Sequence, residues 1–165
     1  PIEIAPEAPG KPAEIKVVVE LGVCKDICVP VTFNFELTVP DARALPASVH
    51  LAKAVDAVPR RAAGRRDDDP IIERQVAVLD GAKPSLTFHV AYPAGAVGAD
   101  LFVEAPDGAW VPLPAIKPDK DGRRVTFEID LSTGVDLKDL IGKPLAVTVV
   151  GPTGALETST VLKAK

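Results

Sequence analysis

The chain has 165 residues, of which 47% are hydrophobic and 25% are charged, and its formal net charge at pH 7 is −4. A chain of this length buries enough surface to form a globular core without cross-links, and its acidic balance argues against a nucleic-acid-binding protein, which needs a clustered basic face. No segment approaches the ~20 consecutive apolar residues that cross a bilayer, so we expect no direct membrane insertion of this chain.

The start of the chain is rich in proline. Pro1–Pro12 contains four prolines, which predicts an extended lead-in because proline interrupts both helices and central strands. The sequence contains no methionine and begins at Pro1. We therefore expect a processed chain or a part of a longer protein.

The first predicted element is a β-hairpin that carries both cysteines. Apolar side chains fall on odd positions from Glu14 to Val23, and a second alternating run extends from Val31 to Val39. Alternation with a period of two is typical of a half-buried strand, and two such runs around a short connection predict a hairpin. The connection runs from Cys24 to Pro30 and contains Cys28.

A helix and a charged segment follow the hairpin. Leu51, Val55 and Val58 are spaced for one face of a helix from Ser48 to Val58, with Ser48 as its N-cap. The next segment, Pro59–Pro70, contains four arginines and three aspartates between two prolines. This composition predicts a solvated linker or a mobile loop rather than a basic docking patch, because the aspartates cancel the positive field.

The C-terminal part of the sequence predicts an immunoglobulin-like β-sandwich. Seven short strands separated by glycine, proline and aspartate turns have the profile of that fold, although no cysteine beyond Cys28 supplies an inter-sheet disulfide. Trp110, between two apolar neighbours, is expected in the core rather than on a binding surface. The predicted strands are Ile72–Leu79, Ser85–Tyr92, Leu101–Glu104, Ala109–Pro112, Arg124–Leu131, Leu145–Val150 and Glu157–Leu162, with one helical turn at Asp136–Ile141.

The fold class is therefore mainly β, an immunoglobulin-like β-sandwich preceded by a Cys-bearing hairpin region and a short helix. We expect a hairpin region at residues 1–47, a helix and charged linker at 48–70, and the sandwich at 71–165. The sandwich contains no cysteine, no cluster of titratable residues and no glycine-rich phosphate loop, so we expect it to be a structural or docking domain.

The spacing of Cys24 and Cys28 restricts what this pair can form. Positions four apart are ~13 Å distant on one strand and ~5–6 Å apart at Cβ on a helix, both too far for the usual disulfide geometry. A disulfide here needs a tight, non-regular loop, which a hairpin tip supplies. In that case we expect an intramolecular bond at a solvent-accessible position.

Redox exchange, a structural cross-link and metal ligation are the alternatives for the pair. A closed five-residue loop stabilises the fold by only ~2 kcal/mol, whereas a neighbouring thiol readily resolves a mixed disulfide. Zinc needs four ligands, and the two histidines, His50 and His89, are distant in sequence and expected on solvated faces. We therefore favour redox exchange and expect neither a metal nor a cofactor.

The residues around the cysteines carry a family resemblance. Gly22–Pro30, with the sequence GVCKDICVP, resembles the active-site segment of the DsbD/ScsB family of bacterial thiol:disulfide interchange proteins, in their periplasmic N-terminal region. The resemblance is strong over Ile15–Val39. It is weaker from Ile71 to Lys165, where Ala99–Glu104 and Trp110–Pro114 are similar to the second sandwich of the ScsB-like branch.

This resemblance implies a function in electron transfer. Cys24 and Cys28 would be the redox pair of a protein-disulfide reductase component, with Cys28 attacking the partner and Cys24 resolving. Electrons would pass from a membrane-embedded domain of the same or an associated protein to thioredoxin-fold acceptors. The resemblance further implies a periplasmic location within a larger inner-membrane protein, a link to cytochrome c biogenesis, and a hairpin that is the C-terminal part of a DsbD-like sandwich.

The chain also departs from the family pattern, and a rival hypothesis stays open. The DsbD branch has a longer insert between its cysteines, so its partner docking does not transfer directly. The rival is a non-catalytic sandwich that binds a partner and has a structural disulfide. A relay pair has a reduction potential of ~−270 to −120 mV and a structural disulfide lies below ~−300 mV, so this potential separates the two hypotheses.

Overall fold

A computed structural model describes residues 11–39 and 48–163 of the chain. The predicted lead-in Pro1–Pro12 lies outside these residues except for its last two positions. The chain divides into two compact units, Pro1–Lys53 and Ala54–Lys165, and each is described by itself.

The first unit contains the predicted β-hairpin. Strand β1 (Ala13–Cys24) pairs antiparallel with strand β2 (Cys28–Val39) in an unbroken register. Odd-numbered residues pair with odd-numbered residues throughout, for example Val17 with Phe35. One face of the hairpin is therefore apolar along its length, and the other carries the polar side chains.

A short helix crosses the boundary between the two units. Helix α1 (Val49–Asp56) lies within the predicted range of Ser48–Val58. The Ser48 carbonyl accepts the hydrogen bond from the backbone N–H of Ala52 at 2.9 Å. Its predicted apolar face is not buried, because Leu51 and Val55 are 57% and 56% exposed.

The second unit consists of two four-stranded sheets. In the first sheet the strands lie side by side in the order β4-β5-β8-β7, and in the second the order is β3-β10-β9-β6. The first sheet contains β4 (Ile71–Val78), β5 (Ser85–Ala91), β7 (Ala115–Pro118) and β8 (Arg124–Asp130). The second contains β3 (Arg60–Arg61), β6 (Asp100–Glu104), β9 (Pro144–Val150) and β10 (Ala155–Val161), and the short helix α2 (Leu137–Leu140) precedes β9.

One hydrophobic core joins the two sheets. Buried side chains alternate along the central strands of both, and they form a single cluster with Leu140 and Leu162. The orders β4-β5-β8-β7 and β10-β9-β6 correspond to the ABED and GFC sheets of a constant-type immunoglobulin domain. The predicted fold class, a mainly β protein with a β-sandwich, is confirmed. The strand members of the core are Leu86, Phe88, Val90, Leu101, Val125, Phe127, Ile129, Leu145, Val147 and Val149.

The prediction for the segment between β6 and β8 is wrong in two respects. Ala109–Pro112 is not a strand, and β7 lies further on, where Ala115–Pro118 pairs with β8. Pro112 and Pro114 have no N–H groups for a sheet ladder, which moves the pairing beyond them. Trp110 is 62% exposed rather than in the core, because no strand directs its side chain inward.

The charged segment is also only partly the solvated linker expected from its composition. Arg60 and Arg61 form β3, which pairs in parallel with β10. Asp69 is fully buried, and its carboxylate accepts hydrogen bonds from Arg60 Nη1 and from the backbone N–H of Arg66, both at 2.8 Å. The prediction of a mobile loop is therefore wrong for these residues, since a buried carboxylate with these partners fixes the segment on the sandwich.

A candidate redox site at the hairpin tip

A disulfide bond joins Cys24 and Cys28 at the tip of the hairpin. Cys24 ends β1, Cys28 begins β2, and their Cα atoms are 4.0 Å apart. The three residues between them form a tight loop, in which the backbone N–H of Lys25 donates to the carbonyl of Ile27 at 3.2 Å. The expected intramolecular disulfide in a non-regular loop is confirmed.

The register of the hairpin places the two cysteines directly opposite each other. Val23 lies opposite Val29, and Cys24 lies opposite Cys28. Both cysteines are on the even-numbered, polar face, because successive side chains point to opposite faces of a strand. The disulfide therefore lies on the side of the hairpin away from the apolar stripe.

The surroundings of the disulfide are open to solvent. Every residue from Leu21 to Pro30 is exposed, and Val23, Ile27 and Val29 are 59%, 75% and 50% exposed. Lys25 and Asp26 carry opposite charges within the loop, so the loop has no formal net charge. An accessible disulfide flanked by apolar side chains can be reached by the thiol of another protein.

Gly22 is a residue of this site that the sequence reasoning did not single out. Gly22 pairs with Pro30 on the polar face, one pair before the two cysteines. The two residues line a shallow recess together with Glu20, Leu21, Val31 and Thr32. A glycine inside an alternating strand pattern was the available signal, because it often marks a close approach of another molecule.

Of the two histidines, only His50 has the fully solvated environment expected of it. His50 is exposed on α1. His89 is partly buried on β5 in the second unit, where its Nδ1 is 3.1 Å from the hydroxyl of Thr126.

Within residues 11–39 and 48–163, no group of three or more His, Cys, Asp and Glu residues is arranged to hold a metal ion. No helix in that part of the chain is both long enough and apolar enough to cross a membrane.

A second surface feature lies on the sandwich, next to strand β6. A groove of about 290 Å³ is lined by Leu101–Glu104, Val111–Pro114 and Thr148. Phe102 and Leu113 in this groove are 41% and 76% exposed. No cysteine lines this groove, since the two cysteines of the sequence are those joined at the hairpin tip.

Comparison with solved structures supports the interpretation of the fold. The crystal structure of the N-terminal periplasmic domain of ScsB from Proteus mirabilis is similar to this chain, with a TM-score of 0.56 and 15% sequence identity. The similarity covers 92% of this chain and 58% of that chain, so the present chain spans less than two thirds of the solved domain. At this identity the likeness concerns the fold, and at that level it confirms the resemblance expected from the GVCKDICVP segment.

Comparison by sequence identifies the family of the second unit. No curated protein matches the sequence. Residues 57–165 match the family model described as Domain of unknown function (DUF8393). The match begins beyond both cysteines and includes the charged segment from Arg60 to Asp69. Since the matched residues are more than half of the sequence, the chain belongs to the DUF8393 family.

Proposed function

We propose that this chain is a periplasmic thiol–disulfide exchange module that relays electrons through Cys24 and Cys28. The observation that carries the proposal is the exposed Cys24–Cys28 disulfide at a hairpin tip, in a chain with the fold of a periplasmic ScsB domain. The electron donor would be a membrane-embedded reductase domain of the same or an associated protein. The acceptors would be thioredoxin-fold proteins, among them those of cytochrome c biogenesis.

The exchange needs two half-reactions at this pair. A dithiol donor reduces the disulfide and is itself oxidised to a disulfide, leaving two thiols on this chain. In the second half-reaction the Cys28 thiolate attacks the disulfide of an acceptor and forms a mixed disulfide. Cys24 then attacks Cys28, which releases the reduced acceptor and restores the Cys24–Cys28 bond.

Each of the three segments of the chain would have its own role in this function. We assign the exchange to residues 1–47, a connecting role to residues 48–70, and a structural or docking role to the sandwich at 71–165. The strands of the sandwich bury alternate, apolar side chains in one core. A rigid domain of this kind suits a structural or docking role.

The reduction potential of the pair tests this function. The oxidised chain is equilibrated with glutathione buffers, and the two states are quantified by mass spectrometry after alkylation. A relay predicts a potential between ~−270 and −120 mV, whereas a value below ~−300 mV would favour a structural disulfide and a non-catalytic, partner-binding sandwich.

A trapping experiment tests the roles of the two cysteines. With an oxidised thioredoxin-fold protein, Cys24→Ala should accumulate a covalent complex because no resolving thiol remains. Cys28→Ala is the matched variant and should not accumulate it. Trapping through Cys24 instead would reverse the roles, and trapping by neither variant across several thioredoxin-fold partners would contradict the relay.

A further inference from the structure

We infer that Ile27 is the apolar anchor of the exchange site: a thioredoxin-fold partner buries this side chain when it docks on the hairpin tip to exchange with Cys24 and Cys28. This inference rests on the proposed exchange function and assigns a specificity-determining residue to it. Ile27 takes part in no bond that forms or breaks during the exchange. Its role is in binding the partner, and this role is the same whichever of the two cysteines attacks.

The hairpin itself does not require an isoleucine at this position. Ile27 lies in the loop between β1 and β2, and its side chain is 75% exposed, more than any large apolar side chain of the two strands. Its carbonyl accepts the hydrogen bond from the backbone N–H of Lys25, which is a main-chain contact that does not depend on the side chain. Tight turns favour glycine and small polar residues. The isoleucine side chain therefore adds little to the stability of the hairpin by burial, and its apolar surface is available to another molecule.

The chemistry of exchange brings a partner against this residue. A disulfide places its two sulfurs ~2.05 Å apart and the Cα atoms of its cysteines within ~7 Å, and a mixed disulfide between two proteins obeys the same geometry. Ile27 precedes Cys28 directly, so their Cα atoms are ~3.8 Å apart. The Cα atom of Cys24 is 4.0 Å from that of Cys28. A partner that bonds to either cysteine therefore lies against the loop that presents Ile27.

The side chains of the tip favour an apolar partner surface over a charged one. Lys25 and Asp26 are neighbours of opposite charge, so their fields largely cancel beyond the loop. Val23 and Val29 are paired at the base of the loop and are 59% and 50% exposed. Together with Ile27 they place three exposed apolar side chains next to the disulfide. The partner that fits this tip is a thioredoxin-fold protein with an apolar surface beside its own cysteines.

The loop also holds Ile27 in a form that loses little freedom on binding. The strands pair Cys24 with Cys28, and the disulfide closes the three-residue loop between them. The β-branched side chain of isoleucine has few χ1 rotamers. An anchor that is already ordered costs little conformational entropy when a partner docks, so most of the free energy of burying it contributes to affinity.

Substitution of Ile27 in the whole chain tests the inference. Ile27→Asn introduces a polar side chain that turns accommodate well, and Ile27→Leu keeps the apolar character. Val18→Asn is the matched control, because Val18 is 63% exposed in the same hairpin and pairs with Asn34, away from the tip. For each oxidised protein, stopped-flow measurements give the rate of reduction by reduced thioredoxin and by dithiothreitol. An NMR titration with a thioredoxin whose two active-site cysteines are replaced by serine gives the Kd without exchange.

The inference predicts a loss that is specific to the protein partner. Ile27→Asn should slow reduction by thioredoxin about tenfold, equivalent to ~1.4 kcal/mol in the activation free energy, and should weaken the Kd by about the same factor. Ile27→Leu should stay within about twofold because it keeps the apolar volume, and Val18→Asn should equal the unsubstituted chain. The rate with dithiothreitol should not change, since this small reductant buries no anchor, and the reduction potential should not change either.

Several results would overturn the inference. They are equal thioredoxin rates for Ile27→Asn and the unsubstituted chain, equal slowing with dithiothreitol, a potential shift that accounts for the rate, or an equal loss in Val18→Asn. The Kd distinguishes this failure from that of the proposed function. If thioredoxin binds the unsubstituted chain without reducing it, and Ile27→Asn weakens that binding, the exchange function is wrong and the anchor stands. If thioredoxin neither reduces nor binds the unsubstituted chain, both are wrong.

Discussion

Removal of the buried Asp69 carboxylate should destabilise the sandwich more than any other change in the charged segment. In Asp69→Ala the Arg60 guanidinium, whose side chain is 14% exposed, loses the partner that Nη1 contacts at 2.8 Å. The backbone N–H of Arg66 loses its acceptor as well. A side chain at Gly154 would overlap both Asp69 and Arg60, so the pair is packed closely against the turn between β9 and β10.

The magnitude follows from what the substitution leaves behind. Removing one partner of a buried ion pair costs ~3–5 kcal/mol, because the remaining charge is buried without compensation. Arg60 retains part of its compensation, since its Nη2 donates to the carbonyl oxygen of Asp56 at 3.1 Å. We therefore expect a loss of about 3 kcal/mol, which lowers the Tm of a domain of this size by roughly 10–15 °C. Asp69→Asn keeps an acceptor oxygen and should lose about half as much.

Urea unfolding measures this effect directly. The transition of each variant is followed by circular dichroism and by the fluorescence of Trp110, and the free energy of unfolding is obtained by linear extrapolation. Asp67→Ala is the matched control, because Asp67 is exposed in the same segment and its removal changes the net charge equally. The control should stay within ~0.5 kcal/mol of the unsubstituted chain. If Asp69→Ala lost no more than Asp67→Ala, the charged segment would not be anchored by this carboxylate.

Two further predictions concern exposed residues of the second unit. Trp110→Ala should reduce the free energy of unfolding by less than ~1 kcal/mol, because the indole is 62% exposed. Thermal unfolding by circular dichroism checks this, and a loss of ~3–5 kcal/mol, as for a buried aromatic residue, would contradict it. The hydrogen bond from Arg66 lowers the pKa of Asp56 below its ordinary value of 3.8. The resulting stabilisation is full above that ordinary value and is lost as the pH falls through the lower value of the folded state. The Tm difference between the unsubstituted chain and Asp56→Asn should therefore be present at pH ~6 and shrink towards pH ~2, and an equal difference at both pH values would refute the assignment.

The sequence by itself determined the hairpin, the site of the disulfide and the central strands of the sandwich. Alternation of apolar residues along β1 and β2 limits the pairing to registers that keep the apolar side chains on one face, because a shift by one residue would turn every apolar side chain to the other side. Among these registers, the short connection between the two runs selects the one in which Cys24 lies opposite Cys28. The sequence likewise predicts strands over Ser85–Tyr92 and Arg124–Leu131, which contain β5 and β8, and apolar residues at alternate positions there, such as Phe88 and Phe127, are buried.

Only the tertiary structure decided the placement and burial of segments whose contacts are distant in sequence. Strand β3 has only two residues, and it forms because they pair in parallel with the edge of β10, almost a hundred positions later in the sequence. Asp69 is buried because Arg60 and the turn at Gly154 surround it, whereas its local sequence of charges indicates a solvated loop. Trp110 is exposed because two prolines beyond it prevent the strand that would have turned it inward. Local patterns specify which face of an element is apolar, but long-range packing decides whether a short or charged segment finds a partner that fixes it in place.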